Sequence, residues 1–225
     1  MQLYIGNKNY SSWSMRPWLL MHHFGIAFEE IKLRLSFDAG SSFKNKLLQF
    51  APTGKVPLLL DGEFAVWDTL AIAEYLVEKY PQLRLWPVDP KQRARARSLC
   101  AEMHSGFTAL RNSFPMNIEA SLPDVGVRLL RESTAAAQEL ARIEQMWSQQ
   151  LIASGGPFLF GEFGIADAYF APVCTRIRTY GLAVGATADG YVERIMALPA
   201  FQAWRHDALA EHDFLQFDEP YRKQP

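Results

Sequence analysis

The run Lys55-Val56-Pro57-Leu58-Leu59-Leu60-Asp61-Gly62-Glu63-Phe64-Ala65-Val66-Trp67-Asp68-Thr69-Leu70 decides how the first third of the chain folds. Two apolar stretches, residues 56–60 and 64–67, flank Asp61-Gly62. An Asp-Gly pair accepts the positive φ of a tight hairpin turn, so the run reads as two antiparallel strands. Pro57 is the anomaly inside it, because proline has no N–H to give a ladder and belongs at a strand start, an edge or a bulge. After Trp67 the apolar period changes: Leu70, Ile72, Ala73, Leu76, Val77 and Tyr80 repeat at helical spacing behind Asp68 and Thr69, both good N-caps.

Upstream, Leu3-Tyr4-Ile5 reads as a short strand and residues 28–35, ending in strict alternation, as another. Between them a helix is expected, with Ser14 as N-cap, Pro17 in the first turn and Gly25 as the stop, carrying Trp18, Leu19, Leu20 and Phe24. Residues 37–50 are less regular, with room for one turn of helix, and end at the turn Ala51-Pro52-Thr53-Gly54. The order over residues 1–80 is therefore βαβ-loop-ββα, an α/β domain. Residues 81–90 hold three prolines and no periodicity and read as a linker. From 91 to 225 the helical period takes over. Ala96, Leu99, Met103, Phe107, Leu110 and Phe114 form one stripe, residues 124–154 a second helix closed by Gly155-Gly156-Pro157, and residues 165–182 a third, apolar nearly all round and hence central. Residues 191–198 and 201–210 complete an all-α second domain.

Composition narrows the function. With 225 residues and 49% hydrophobic side chains, the chain has ample material for a core. Its 23 basic and 24 acidic residues leave a net charge of −1, which disfavours a nucleic-acid or anionic-membrane partner. Two cysteines, Cys100 and Cys174, make neither a disulfide framework nor a CxxC pair and read as small buried hydrophobes. The first residues lack a basic stretch followed by an apolar one, and nowhere do eighteen apolar residues run together, so a cytoplasmic location is expected. The five histidines lack metal-ligand spacing, and no metal is expected. The basic run 91–97 reads as a solvated or subunit-facing helix start, with Glu74 and Glu78 as its ionic partners only if two copies of the chain pair across it.

Three features carry chemistry, each with two readings. Val56-Pro57 is either a trans proline at a strand start or a cis bond that frees the Val56 backbone for a peptide-like ligand. Asp68-Thr69 either caps a helix or, at that helix's positive end, holds a charged ligand group. Tyr10-Ser11-Ser12-Trp13-Ser14 is either a serine-rich cap or a place where hydroxyls and N–H groups converge on an anion. It has no nucleophile-elbow pattern and no histidine-acid pair fixed by spacing.

In this order the three features resemble the soluble glutathione transferase family over nearly the whole chain. Ser11-Ser12-Trp13-Ser14-Met15-Arg16 looks like the serine-cysteine motif of zeta-class members, residues 51–57 resemble the segment leading to the family's cis-proline, and residues 68–76 its acidic-hydroxyl pair opening the third helix. The resemblance implies a thioredoxin-like first domain, a helical second one, a homodimer, and detoxifying addition of the glutathione thiol to a small electrophile. It places the activating hydroxyl at Ser11, with Ser12 as its neighbour. Val56, beside Pro57, would pair with the cysteinyl backbone of glutathione, Asp68 and Thr69 with its γ-glutamyl end, and Lys55 with its glycyl carboxylate. Trp13, Met103, His104, Phe107, Arg111 and Met116 are the candidates for the electrophile pocket, some of them equally readable as bundle core. A glutathione-binding protein without catalysis and a glutathione-dependent cis-trans isomerase are the alternatives. Two departures matter. Trp13 stands where the zeta motif has cysteine, which removes a thiol from that position, and Gly164-Ile165-Ala166-Asp167 lacks the usual hydroxyl cap, at a cost of a few tenths of a kcal/mol.

Overall fold

A computed structural model describes residues 1–224. Strand β1 (Gln2–Ile5) lies inside a four-stranded mixed sheet ordered β2-β1-β3-β4. It pairs in parallel with β2 (Glu29–Lys32) through the crossover helix α1 (Ser12–His23), and antiparallel with β3 (Leu58–Asp61), which turns back into β4 (Phe64–Trp67). Gly62 takes the positive φ of 63° that the hairpin turn requires. As inner strands, β1 and β3 are covered on both faces, which is why Leu3, Ile5, Leu58 and Leu59 are apolar without alternation and fully buried. Helix α2 (Ser42–Leu48) fills the irregular stretch, and α3 (Thr69–Lys79) closes the α/β half.

Several expected boundaries move. The strand expected over 28–35 ends at Lys32, because the Leu35 N–H leaves the ladder for the Asn7 side chain at 2.9 Å. The strand expected from Val56 begins at Leu58. Helix α1 starts at Ser12, so Ser14 is not its cap and Pro17 falls in the second turn.

The helical half comprises α4 (Pro90–Ser105), α5 (Thr108–Ser113), α6 (Pro123–Glu132), α7 (Thr134–Ser154), α8 (Ile165–Thr179), α9 (Ala186–Ala197) and α10 (Pro199–Ala210), followed by a 3-10 turn at Gln216–Asp218. The single stripe over 96–114 is broken by Phe107 in the left-handed region (φ 55°), after which the Glu139 carboxylate accepts the first N–H groups of α5. The helix expected over 124–154 is two, since the Ser133 hydroxyl caps a new start by accepting the Ala136 N–H at 3.2 Å. Central α8 has every residue buried except Arg178. Asp167 restores the hydrogen bonding at its start, taking the Gly164 and Leu159 N–H groups, each at 3.0 Å, and the Tyr191 hydroxyl at 2.9 Å.

The halves are joined by α1 packed along α8 and by a chain end that returns to the sheet. Lys8, almost wholly buried, reaches Glu30 at 2.8 Å and Asp207 of α10 at 2.6 Å. Glu211 accepts the backbone N–H groups of Lys8 and Asn9, and Glu219 accepts the Tyr10 hydroxyl at 2.7 Å. Residues 7–10, which deliver the chain to Ser11, are thus held by side chains from the far end of the sequence.

Candidate functional site

A cleft opens where the start of α1, the segment before β3, the start of α3 and the helices α4, α5 and α8 converge. It has two lobes that share Trp13, Thr53, Lys55 and Val56. The smaller, about 350 Å³, adds Pro57, Trp67, Asp68, Thr69 and His104, and the larger, about 530 Å³, adds Ser11, Ser12, Arg111, Met116, Arg176 and Asp218 among others.

The smaller lobe is made of backbone and a helix end. The Val56-Pro57 bond is cis, and because β3 begins at Leu58, Val56 stands outside the ladder on the cleft wall. Asp68 sits at φ 76°, costly for a residue with a Cβ, and strain of that kind clusters where function requires a fixed direction. Its Oδ1 caps α3 by accepting Leu70 N–H at 2.8 Å and Ala71 N–H at 3.4 Å, while Oδ2 lies 3.3 Å from His104 Nε2. The Thr69 hydroxyl accepts from Tyr169 of α8 at 2.9 Å, which pins the start of α3 to the helical half.

The larger lobe is cationic. Lys44, Lys55, Arg111 and Arg176 line it. Arg16 does not line the cleft: it is buried, its guanidinium 4.2 Å from the Trp13 ring and 4.7 Å from that of Tyr169, and its Nε and Nη1 have no hydrogen-bond partner among the described residues. Arg111 lies over the same indole at 5.5 Å. Arg176 gives Nε to the Phe114 carbonyl at 2.7 Å and Nη1 to that of Pro172 at 3.0 Å. Burial lowers the pKa of Arg16 to about 10 and that of Arg176 to about 9, which leaves both charged at neutral pH. In the same lobe as Arg176, burial and the neighbouring Glu219 raise the pKa of Asp218 to about 6, against the pull of Arg176. The Tyr10 phenol is pushed up to about 12, chiefly by burial and by its bond to Glu219, so its proton is committed to the chain end.

Ser11 and Ser12 open α1 on the floor of this lobe. Ser11 makes no side-chain cap bond; its Oγ lies 2.7 Å from Ser14 Oγ, which accepts the Gly6 N–H at 3.1 Å.

Ten residues singled out from sequence line the cleft: Ser11, Ser12, Trp13, Lys55, Val56, Pro57, Asp68, Thr69, His104 and Arg111. Met116 joins them in the larger lobe. Met103 and Phe107, expected in the electrophile pocket, are buried in the hydrophobic core instead. One position on, His104 turns from that core toward Asp68 and so belongs to the smaller lobe. Arg16, Arg176 and Asp218 were not foreseen. Two arginines, Arg176 and Arg178, in the largely apolar run 165–182 were the available signal, since a guanidinium buried in a central helix needs a specific reason. Glu74, expected to meet the basic run, holds Arg97 of the same chain at 2.8 Å. Cys100 and Cys174 are fully buried, and burial pushes both thiols up.

Comparison with known proteins matches both halves of the chain to one family. The profile described as glutathione S-transferase, N-terminal domain, matches residues 10–79, and that described as glutathione S-transferase, C-terminal domain, matches residues 119–207. A maleylacetoacetate isomerase of Pseudomonas aeruginosa is 29% identical over 196 residues, 83% of this chain and 85% of its own. A crystal structure of a glutathione transferase homolog from a Burkholderia, with bound glutathione, superposes with a TM-score of 0.69 at 27% identity, covering 93% of this chain and 98% of its own. A maleylacetoacetate isomerase from Methylobacterium extorquens AM1 with bound malonate and glutathione gives 0.67 at 25% identity over 100% of both chains. Among the described residues no helix is long and apolar enough to cross a membrane, and no group of three or more His, Cys, Asp or Glu side chains is placed to hold a metal ion.

Proposed function

Because this chain belongs to the glutathione S-transferase family, we propose that it binds glutathione across the smaller lobe, holds the thiol as thiolate beside Ser11, and adds that sulfur to a small electrophile in the larger lobe. The observation that carries this reading is the meeting of Ser11-Ser12, Lys55-Val56-Pro57 and Asp68-Thr69, far apart in the chain, on one cleft.

The chemistry starts from the thiol. A cysteinyl thiol with pKa about 8.5 is only a few per cent ionised at pH 7, and the thiolate is the nucleophile. The backbone of Val56 pairs with the cysteinyl residue, Asp68 with the γ-glutamyl ammonium, the start of α3 with the adjoining carboxylate, and Lys55 with the glycyl carboxylate. The Ser11 hydroxyl then donates to sulfur near the positive end of α1 and the buried arginines. A lowering of about 2 pKa units is about 2.7 kcal/mol in favour of the anion. The thiol proton passes to solvent and the sulfur lone pair forms the new bond to the electrophilic carbon, as the carbon–carbon π bond of a conjugated acceptor opens and its electron pair takes up a proton from solvent. The serine donates a hydrogen bond throughout and is not itself the nucleophile. Trp13 supplies no thiol, which argues against disulfide exchange at that position.

The cationic larger lobe favours an electrophile that carries a carboxylate. That preference, and the names of the relatives, support a second reading: cis-trans isomerisation of an unsaturated diacid, in which the sulfur adds and leaves again and glutathione is returned unchanged. Exposed Phe64 and Trp67 on the edge strand β4 support pairing of two copies. A reducing, cytoplasmic setting suits a chain whose two cysteines are free.

An ultraviolet difference titration with glutathione across pH tests the reading. Because both protein thiols are buried and protonated, thiolate absorbance reports glutathione. The expected result is a bound thiolate well below the pKa of the free thiol. Binding without thiolate would instead assign a glutathione-binding protein without catalysis, and no binding would leave a shared fold only.

A further inference from the structure

Ser14 lies one helical turn beyond Ser11, is fully buried, and has a role that neither capping nor contact with a ligand explains. Its Oγ meets two groups, the Gly6 N–H at 3.1 Å and Ser11 Oγ at 2.7 Å. We propose that Ser14 is a positioning residue: its hydroxyl donates to Ser11 Oγ and thereby turns the Ser11 proton into the cleft.

The direction of the bond follows from counting protons. An amide N–H can only donate, so Ser14 Oγ accepts from Gly6 and retains one proton to place. Among the described residues the one acceptor hydrogen-bonded to that hydroxyl is Ser11 Oγ. If Ser11 donated instead, the Ser14 proton would be buried with no partner, an arrangement that folded proteins avoid. With Ser14 as donor, the Gly6 N–H and the Ser14 hydroxyl proton are both satisfied, and the proton left free in this three-group relay is that of Ser11, on the cleft wall. The sequence Gly6 N–H to Ser14 O–H to Ser11 O–H also polarises Ser11, since each donor in a run strengthens the next. Ser12, which lines the same lobe, has no such support from a second hydroxyl.

The inference rests on Ser11 as the thiol's donor, and the test separates the two. The probe is glutathione carrying ¹³C at its cysteinyl Cβ, whose chemical shift against pH reports the ionisation of its own sulfur when bound. Wild type, Ser11→Ala, Ser14→Ala and the double variant are compared, with thermal unfolding followed in parallel. Loss of one supporting hydrogen bond in Ser14→Ala is expected to lower the bound thiolate-to-thiol ratio about three- to tenfold at fixed pH. The double variant should equal Ser11→Ala, because Ser14 acts only through Ser11. If Ser14→Ala lowers the unfolding temperature but leaves the ratio at its wild-type value, Ser14 is purely structural and the inference is overturned. An unchanged ratio in Ser11→Ala would overturn the assignment of Ser11 itself, and with it this inference. Should Ser14→Ala not fold, Ser14→Cys, which keeps the volume and a weaker donor, is expected to shift the ratio in the same direction by less, and a wild-type ratio there is equally contrary.

Discussion

The imidazole of His104, at the end of α4, meets the carboxylate of Asp68, the cap of α3, with Nε2 at 3.3 Å from Oδ2. The contact crosses from the helical half to the sheet-bearing half, and it leaves Oδ1 free to cap the helix. Replacing His104 by Ala should raise KM for glutathione about three- to tenfold, the loss of the polar contact that steadies Asp68, with kcat within about twofold. Asp68→Asn keeps the cap and tolerates the positive φ but loses the charge. Its KM should rise further while its Tm stays within about 2 °C of wild type. Steady-state kinetics with glutathione as the varied substrate, beside a thermal melt, checks both.

Ser11 and Ser12 are neighbours on the cleft, but only Ser11 is bonded to a second hydroxyl. Ser11→Ala should reduce turnover about tenfold or more while glutathione affinity stays close to wild type, and Ser12→Ala should change turnover by less than about threefold. The opposite pattern in the two single variants would transfer the role to Ser12.

Asp218 gives the larger lobe a pH dependence. Burial first, and the neighbouring Glu219 second, raise it to about 6, with Arg176 opposing. As pH falls through 6 the carboxylate is neutralised and the lobe becomes more positive. KM for a carboxylate-bearing electrophile should therefore fall with decreasing pH over that range, and KM for a neutral one should not. Asp218→Asn should show the low KM at every pH and lose the inflection. Profiles of KM between pH 5 and 8 with one substrate of each kind decide this.

Asp167 governs stability more than chemistry. Its carboxylate accepts the N–H groups of Leu159 and Gly164 and the hydroxyl of Tyr191, so Asp167→Ala leaves three buried donors unmatched and should cost about 3 kcal/mol or more. Burial raises its pKa to about 6, above the unfolded value of about 3.9. The native state then binds more protons than the unfolded one between those values. This group's contribution accordingly falls as pH rises from about 4 to about 6 and is level above. Urea midpoints across that range should show the slope in wild type and its loss in Asp167→Asn.

The features readable in advance share a short range. Asp61-Gly62 announces its hairpin because Gly62 supplies the positive φ of a two-residue turn, although the turn itself is Gly62-Glu63 and Asp61 pairs with Phe64 as the end of β3, and Asp68 announces α3 because a cap bonds only to its own first turn. Where the reading was off, something distant intervened. The stripe over 96–114 runs through the break at Phe107 because α4 and α5 bury their apolar faces in the same core, and periodicity records the face and not the kink. Ser133-Thr134 looks like the polar side of one long helix until its hydroxyl is seen capping α7. Met103 and His104 are adjacent, and about 100° of helical rotation sends one into the core and the other to the cleft.

By itself the sequence determined the strand and helix order of the first half, the helical character of the second, and three segments with ligand-binding character, because turn chemistry, capping and apolar period act within a few residues of their cause. Only the tertiary structure decided that Arg176 and Asp218 would face Ser11, that Thr69 would be pinned by Tyr169, and that Tyr10 would give its proton to Glu219 and not to the cleft. Those pairings depend on how α8 and the chain end pack against the sheet. Packing follows from the whole buried surface at once, and a charge taken from water finds its partner wherever that packing brings one, with no trace in the residues beside it.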